Sequence, residues 1–318
     1  MKTACLVNNY NYASYVGFAV ESAFEQTAAF DQVIVVDDCS TDDSADVLAA
    51  LQSKYPSLIV LHHTENRGQL AAFESGIAAT ACDVLFFLDA DDVYAPNYLA
   101  TARKIFIEKS DCDFLFCAHK EFSDSPGCSF VADEQPQGAI TCEGRSVLRT
   151  LLSTPPLFIG APTSCLSMRR NVAAALFPYH WPRDWVTRAD EVLVIGASLS
   201  GARKFRLSTP LIGYRLHGKN DYFGNKKWLT PDSQYTYVVA RTKLLAFLCD
   251  RFGISKEIRK LAFLEFRTMP TPSVQMYRDY CKWIFRHGVP VSTSRVRCFL
   301  GMTKWFVNAK YQAMRNSR

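Results

Sequence analysis

Three carboxylates, Asp89, Asp91 and Asp92, stand within four residues, directly after the apolar run Val84, Leu85, Phe86, Phe87 and Leu88. Like charges this close raise one another's pKa unless a cation shares the site. Oxygen-only ligands favour Mg2+ or Mn2+ over zinc, and such an ion would carry a phosphate-bearing substrate. The alternative is a plain acidic turn in which Asp92 caps the following helix. Further polar clusters at residues 8–11, 37–38 and 66–68 each follow their own apolar run.

Five large apolar side chains without polar alternation predict that 84–88 is a strand buried on both faces. Residues 4–7, 32–36 and 58–61 read as strands of the same kind. Helices are predicted between them over about 15–26, through Leu51 with Ser40 or Thr41 as the cap, and over about 69–79. Strands alternating with helices at this spacing imply a doubly wound α/β unit with a mostly parallel sheet. In such a sheet the four polar clusters converge at the carboxyl ends of the strands, where open α/β sheets bind ligands. The chain has neither G-x-G-x-x-G after its first strand nor G-x-x-x-x-G-K-[ST], so phosphate is expected to be held by metal rather than by a glycine-rich loop.

The clusters at 8–11, 35–42, 65–68 and 87–92, followed by Pro96, resemble the family 2 glycosyltransferases in order and spacing. This resemblance covers residues 4–100, with a weaker continuation to about 220. It implies a GT-A-like α/β fold and sugar transfer from a nucleotide-sugar donor, UDP favoured, to an acceptor hydroxyl with inversion. Surface polysaccharide, lipopolysaccharide or glycolipid synthesis is the expected setting, with a saccharide or lipid-linked saccharide acceptor. Two departures stand out: Asn8-Asn9 replaces the Pro or small residue usual before the loop Tyr-Asn, and Ala189 stands where Glu is most frequent.

The resemblance also assigns roles. Asp38 would hydrogen-bond the nucleobase, with Asn8, Tyr10 and Arg67 beside it and Asp37 assisting. Asp89 and Asp91, flanking Ala90, would hold Mn2+ or Mg2+ on the donor diphosphate. Asp190, at the start of an apolar helix, aligns with the catalytic base. Its neighbour Glu191 is the alternative, and both acids would also favour the helix dipole without any catalytic role. Arg215 and His217 resemble the closing Tyr-Arg-x-His-Gly segment and would face the diphosphate or the metal, His217 being otherwise structural. Trp185, with Trp181, would stack on a sugar ring or else serve packing. A sugar-nucleotide pyrophosphorylase would open with a glycine-rich basic loop, absent from 8–12. A non-catalytic nucleotide-sugar-binding or scaffold protein of the same fold is the remaining alternative.

The chain of 318 residues, 48% hydrophobic, can bury a large core. Its eleven Cys form no C-x-x-C pair, which predicts reduced thiols in the cytoplasm. Neither a leader sequence nor a membrane-spanning apolar run is recognised. A catalytic domain is expected over 1–228 and a helical, basic appendage over 229–318, with helices at 233–252, 256–267 and 273–286. Residues 255–318 carry 13 basic and 3 acidic groups. With Trp283, Phe285, Phe299, Trp305 and Phe306 among them, they read either as a peripheral contact with the inner face of the cell membrane or as aromatics packed on protein under solvated charges. Nucleic acid is not an expected partner, since no binding motif accompanies the charge; oligomer formation is left open.

Overall fold

The computed structural model describes residues 1–123, 130, 138–153, 157–218, 230–254, 258–286 and 293–316. Most of the polar loop expected at 122–138, and the boundary expected at 228, lie outside the described residues.

The chain runs β1 (Thr3–Asn9), α1 (Val16–Phe24), β2 (Gln32–Asp37), α2 (Ser44–Lys54), β3 (Leu58–His62), α3 (Gln69–Ala78), β4 (Val84–Asp89), β5 (Val93–Tyr94) and α4 (Tyr98–Glu108). It continues through β6 (Phe114–Ser123), β7 (Ile140–Gly144), α5 (Val147–Leu152), β8 (Leu166–Arg169), α6 (Arg170–Ala174), α7 (Ala189–Leu199) and β9 (Lys204–Leu216). Four helices follow, α8 (Pro231–Arg251), α9 (Ile258–Phe266), α10 (Val274–Arg286) and α11 (Thr293–Asn316).

The described residues form a nine-stranded sheet in the order β3-β2-β1-β4-β8-β6-β9-β5, with β7 also paired to β9. Strands β3, β2, β1 and β4 are mutually parallel. Beyond β4 the sheet is mixed, because β8 runs antiparallel to both β4 and β6 while β6 and β9 are parallel.

The unbroken apolar runs follow from burial on both faces. In β4, Leu85 and Phe87 enter one core with residues of α3, α6, α7 and α8, while Val84, Phe86 and Leu88 enter the opposite core with α1, α2 and α4. Successive side chains point to opposite faces of a strand, so neither set can be polar. Phe86 and Phe87 are fully buried, and truncating either to Ala would cost about 3–5 kcal/mol. Ala240, Leu244 and Leu248 of α8 belong to the first of these cores, which fastens the carboxyl-terminal helices to the sheet layer.

Helices α9 to α11 build a smaller core around Phe266, Met269, Tyr280, Ile284 and Met302, shared with Leu148 of α5. Glu265 joins the two parts: its carboxylate accepts the N–H groups of Leu148 (2.9 Å) and Arg149 (3.2 Å) and the hydroxyl of Tyr280. It therefore occupies the place of a capping residue for the first turn of α5, where Ser146 makes no side-chain cap bond.

The start of α2 differs from expectation. The helix begins at Ser44, and Ser40 serves the preceding loop, its hydroxyl donating to Asp37 Oδ1 (2.6 Å) and accepting from Asn11 N (2.9 Å). Cys39 sits in the left-handed region (φ 61°), so the chain turns back toward β1 before it can coil. The strand expected at 163–168 begins as a 3-10 turn at Thr163–Cys165 and becomes extended only from Leu166.

Candidate active site

Strand register brings the polar clusters together. Asn8 lies opposite Asp89, Asn9 opposite Asp37, and Asp37 opposite His62, so the carboxyl ends of β1 to β4 share one edge. Strand β1 has β2 on one side and β4 on the other, which makes this edge the point where strand order reverses and a crevice opens.

At the end of β4, single carboxylate oxygens of Asp89, Asp91 and Asp92 lie within 4.8 Å of one another. Burial first, and then their mutual repulsion, push the Asp89 and Asp92 carboxyls well above the usual carboxylate range. The three are not equivalent. Asp92 is engaged by the protein, accepting Ser164 Oγ (2.6 Å) and the backbone N–H of Arg215 (3.0 Å). Asp89 Oδ1 accepts Gln69 Nε2 (2.7 Å) and, with the Asn8 amide turned to suit its neighbours, Asn8 Nδ2 (2.8 Å). Asp91 Oδ2 lies 3.0 Å from His217 Nε2. An all-oxygen pair with an imidazole at its edge, destabilised by its own charge, fits a hard divalent cation.

Arg215 and His217 are locked behind this cluster. The His217 ring stacks on Tyr15 at 4.8 Å, and the Arg215 guanidinium lies over Tyr15, Phe18 and Phe122 at 5.3, 5.2 and 4.6 Å. Arg215 Nε donates to the Asp91 carbonyl (2.9 Å), so β9 braces the turn that carries the acids.

Asp190 and Glu191 open helix α7, but their surroundings differ. Glu191 Oε1 accepts both Arg188 Nη2 (2.7 Å) and the Tyr237 hydroxyl (2.8 Å), which commits it to a network that holds Arg188 in its left-handed conformation (φ 68°). The protein contact of Asp190 is short-range, Oδ1 accepting the N–H of Glu191 (2.9 Å). Burial, then the charge of Glu191, push the Asp190 carboxyl up to about 6. A carboxylate with that value is a stronger base than an ordinary aspartate and is still ionised at neutral pH.

Two loops distant in sequence are stitched together between Asp190 and the acidic cluster. Gly68 has φ 88°, and a Cβ there would fall 2.7 Å from Val186 Cα, so the glycine permits both the turn and the approach. Gln69 N donates to the Val186 carbonyl (2.9 Å), and its side chain spans from Asp89 Oδ1 to the N–H of Ala189 (2.8 Å). Gln69→Leu keeps similar bulk but leaves that helix N–H without its acceptor, a loss of about 1–3 kcal/mol. We expect its thermal midpoint to fall by several degrees and its turnover by about tenfold, one factor of ten corresponding to about 1.4 kcal/mol. A variant equal to wild type in melting and kcat would contradict the stitch.

The cleft enclosed by these elements has a volume of about 630 Å³ and is lined by Asn8, Tyr10, Asp38, Asp89, Ala90, Asp91, Asp190 and Glu191, among others. Asp38 is nearly saturated: its oxygens accept His63 Nδ1 (2.6 Å), Arg67 N (3.0 Å) and Gly68 N (2.6 Å), holding the 66–68 turn against the cleft. Asp37 lies behind it, tied to Asn9 Nδ2 (2.8 Å) and Ser40, and does not line the cavity. The Arg67 side chain is exposed and also outside the lining. Trp185 departs furthest from a sugar-stacking position, being 2% exposed with its Nε1 donating to the Tyr179 hydroxyl (3.2 Å). Its large apolar ring is better accommodated in the core than on the surface of the neighbouring smaller cavity, which it touches from one side.

Residues 5–127 match the sequence profile described as Glycosyl transferase family 2. A glycosyltransferase of Nostoc sp., alr2836, is 34% identical over 222 residues, covering 70% of this chain and 67% of that relative. The chain belongs to glycosyl transferase family 2. The succinoglycan biosynthesis protein ExoU of Rhizobium meliloti is 38% identical over 94 residues, 30% of this chain and 27% of that protein. Among solved structures, S. aureus TarS 1–349 in complex with UDP aligns over 100% of this chain and 92% of its own, with a TM-score of 0.52 and 15% identity. At that identity the likeness speaks for the fold alone, which is the GT-A-like α/β fold.

Within this family 2 chain, Gln69, Thr163, Arg188 and Tyr214 also line the cleft and were not singled out from the sequence. Gln69 directly follows a recognised Asn-Arg-Gly turn and Tyr214 directly precedes Arg215, so adjacency to a motif was the available signal. Thr163 had none, because its 3-10 turn is placed by contacts with β4 rather than by a local pattern.

Proposed function

We propose that the chain transfers a sugar from a nucleotide-sugar donor, UDP-linked, to an acceptor hydroxyl of a growing surface saccharide, free or lipid-linked. The observation that carries this reading is the single cleft in which Asp89 and Asp91 face Asp190, a carboxyl pushed up to about 6. Asp89 and Asp91, with His217 at the edge, would hold Mn2+ or Mg2+, which supplies Lewis-acid neutralisation of charge on the departing diphosphate. Asn8 and Gln69 hold Asp89 in place. Tyr10, 39% exposed at the cleft, offers a ring face to the nucleobase, and Asp38 fixes the turn beneath it. Asp190 takes the proton of the attacking hydroxyl, while Arg188 and Tyr237 keep Glu191 occupied beside it. The reaction is a single displacement, so the anomeric carbon inverts and no covalent intermediate forms.

Support for the donor comes from the fold neighbour solved with UDP and with UDP-GlcNAc. Support for the acceptor comes from relatives whose names place them in succinoglycan and teichoic acid synthesis. Residues 1–228 would form the catalytic unit and 229–318 its appendage, joined through α8. The free cysteines among the described residues, half of them buried and none exposed, suit a cytoplasmic setting.

A thermal-shift screen of UDP-, GDP-, CMP- and dTDP-linked sugars, with Mn2+ or with EDTA, tests the donor assignment. A donor at a hundred times its Kd stabilises the fold by about 2.7 kcal/mol. We expect that shift from a UDP-sugar in Mn2+ and its loss in EDTA; stabilisation by another nucleotide class alone would overturn UDP.

A further inference from the structure

Helix α11 carries apolar residues on two faces. Met302, Trp305 and Phe306 face the small helical core, where Trp305 Nε1 donates to the Met269 carbonyl (3.1 Å). Val296, Leu300, Val307, Tyr311 and Met314 are instead 42%, 58%, 58%, 61% and 61% exposed. At 3.6 residues per turn these five fall within an arc of about 60°, so they share one face of the helix, with Thr303 and Lys304 in the turn between Leu300 and Val307. Arg297, Lys304 and Arg315 fall along one flank of the stripe and Lys310 along the other, and no Asp or Glu follows Asp279 in the chain.

We propose that this outward face of α11 lies on an anionic lipid surface, the stripe entering the headgroup boundary and the flanking cations meeting lipid phosphates. The argument is charge complementarity: an apolar strip edged by cations, in a segment of 13 basic and 3 acidic residues, matches an interface that is apolar below and anionic above. A second copy is disfavoured, because pairing two α11 stripes would bring Lys304, Lys310 and Arg297 against like charges with no acid on the helix to answer them. Among the described residues no helix is long and apolar enough to cross a membrane, so α11 lies on the surface rather than spanning it. This inference does not depend on the catalytic assignment, since binding is measured without turnover.

Sedimentation of the full chain with phosphatidylcholine vesicles, with and without phosphatidylglycerol, at low and high salt, tests it. The protein is expected to pellet with the anionic vesicles at low salt and to be released by high salt. Val307→Asp, an exposed site outside every core, should weaken vesicle binding by about tenfold or more, and Lys304→Glu with Lys310→Glu should remove the preference for anionic lipid. Circular dichroism and gel filtration of each variant establish that the fold is kept. Vesicle binding that is unchanged in Val307→Asp, or indifferent to lipid charge, overturns the proposal. So does a wild-type dimer that Val307→Asp converts to monomer while neither form binds vesicles, which would make the stripe an interface between copies.

Discussion

Replacing Asp190 by Asn lowers kcat by about two orders of magnitude or more while donor affinity stays close to wild type. Asparagine keeps the volume and, through Oδ1, the contact that Asp190 makes with the Glu191 N–H (2.9 Å), but it cannot accept the acceptor's proton. The pH profile carries the same signature. With the carboxyl at about 6, kcat/KM should fall about tenfold per pH unit below that value as the base is protonated, and the Asn variant should lose this limb. Stability moves in the other direction. The folded-state pKa lies above the unfolded value of 3.8, so the folded protein binds the extra proton and stability falls as pH rises from about 3.8 through about 6. At neutral pH the variant should therefore be at least as stable as wild type. Glu191→Gln keeps an acceptor for Arg188 and Tyr237 and should retain most activity. Were Glu191→Gln inactive and Asp190→Asn active, the base would be the neighbouring residue.

Asp91→Ala should reduce transfer by about a thousandfold or more, the several kcal/mol that a metal contributes at a departing phosphate. The Mn2+-dependent part of UDP binding, measured by calorimetry without turnover, should disappear with it. The fold should be kept, because Arg215 Nε holds the Asp91 carbonyl and Asp92 remains with Ser164 and Arg215 N, while His217 Nε2 loses its 3.0 Å contact with Asp91 Oδ2 but stays stacked on Tyr15. Removing Asp91 also removes a charge that pushes the Asp89 and Asp92 carboxyls up, so the thermal midpoint should hold or rise as activity vanishes. Wild-type turnover in EDTA, or Mn2+-enhanced UDP binding by the variant, would contradict a metal site here.

The parallel half of the sheet could be read directly because burial on both faces leaves a strand no polar positions, as in Val84–Leu88. The same signal places the cluster after each strand, while the pairing of Asn8 with Asp89 comes from the register of the folded sheet. Strands β5 and β7 leave no such signal in the sequence: the first has two residues, and the second, exposed at its start, is defined by pairing with β9. Hydrogen-bond partners were equally hidden. Asp38 lines the cleft, and its bonds to the N–H groups of Arg67 and Gly68 are visible only once Gly68 and Val186 are adjacent. Trp185 is an aromatic near the site, but its place is set by Tyr179, six residues earlier, and by Tyr237 of α8, some fifty residues later. Helix α11 blurred its own pattern, since two apolar faces mask the amphipathic period that one would have shown.

Stereochemistry of donor cleavage tests the central claim most directly, because it needs no knowledge of the acceptor. Full-length protein, Mn2+ and a panel of UDP-α-hexoses that includes UDP-N-acetylglucosamine are followed by proton NMR, with water standing in for the acceptor hydroxyl. A single displacement assisted by Asp190 releases the β anomer first, the α anomer growing in only by mutarotation, and Asp190→Asn suppresses both. Initial release of the α anomer, or no cleavage of any donor in the panel, would contradict the account.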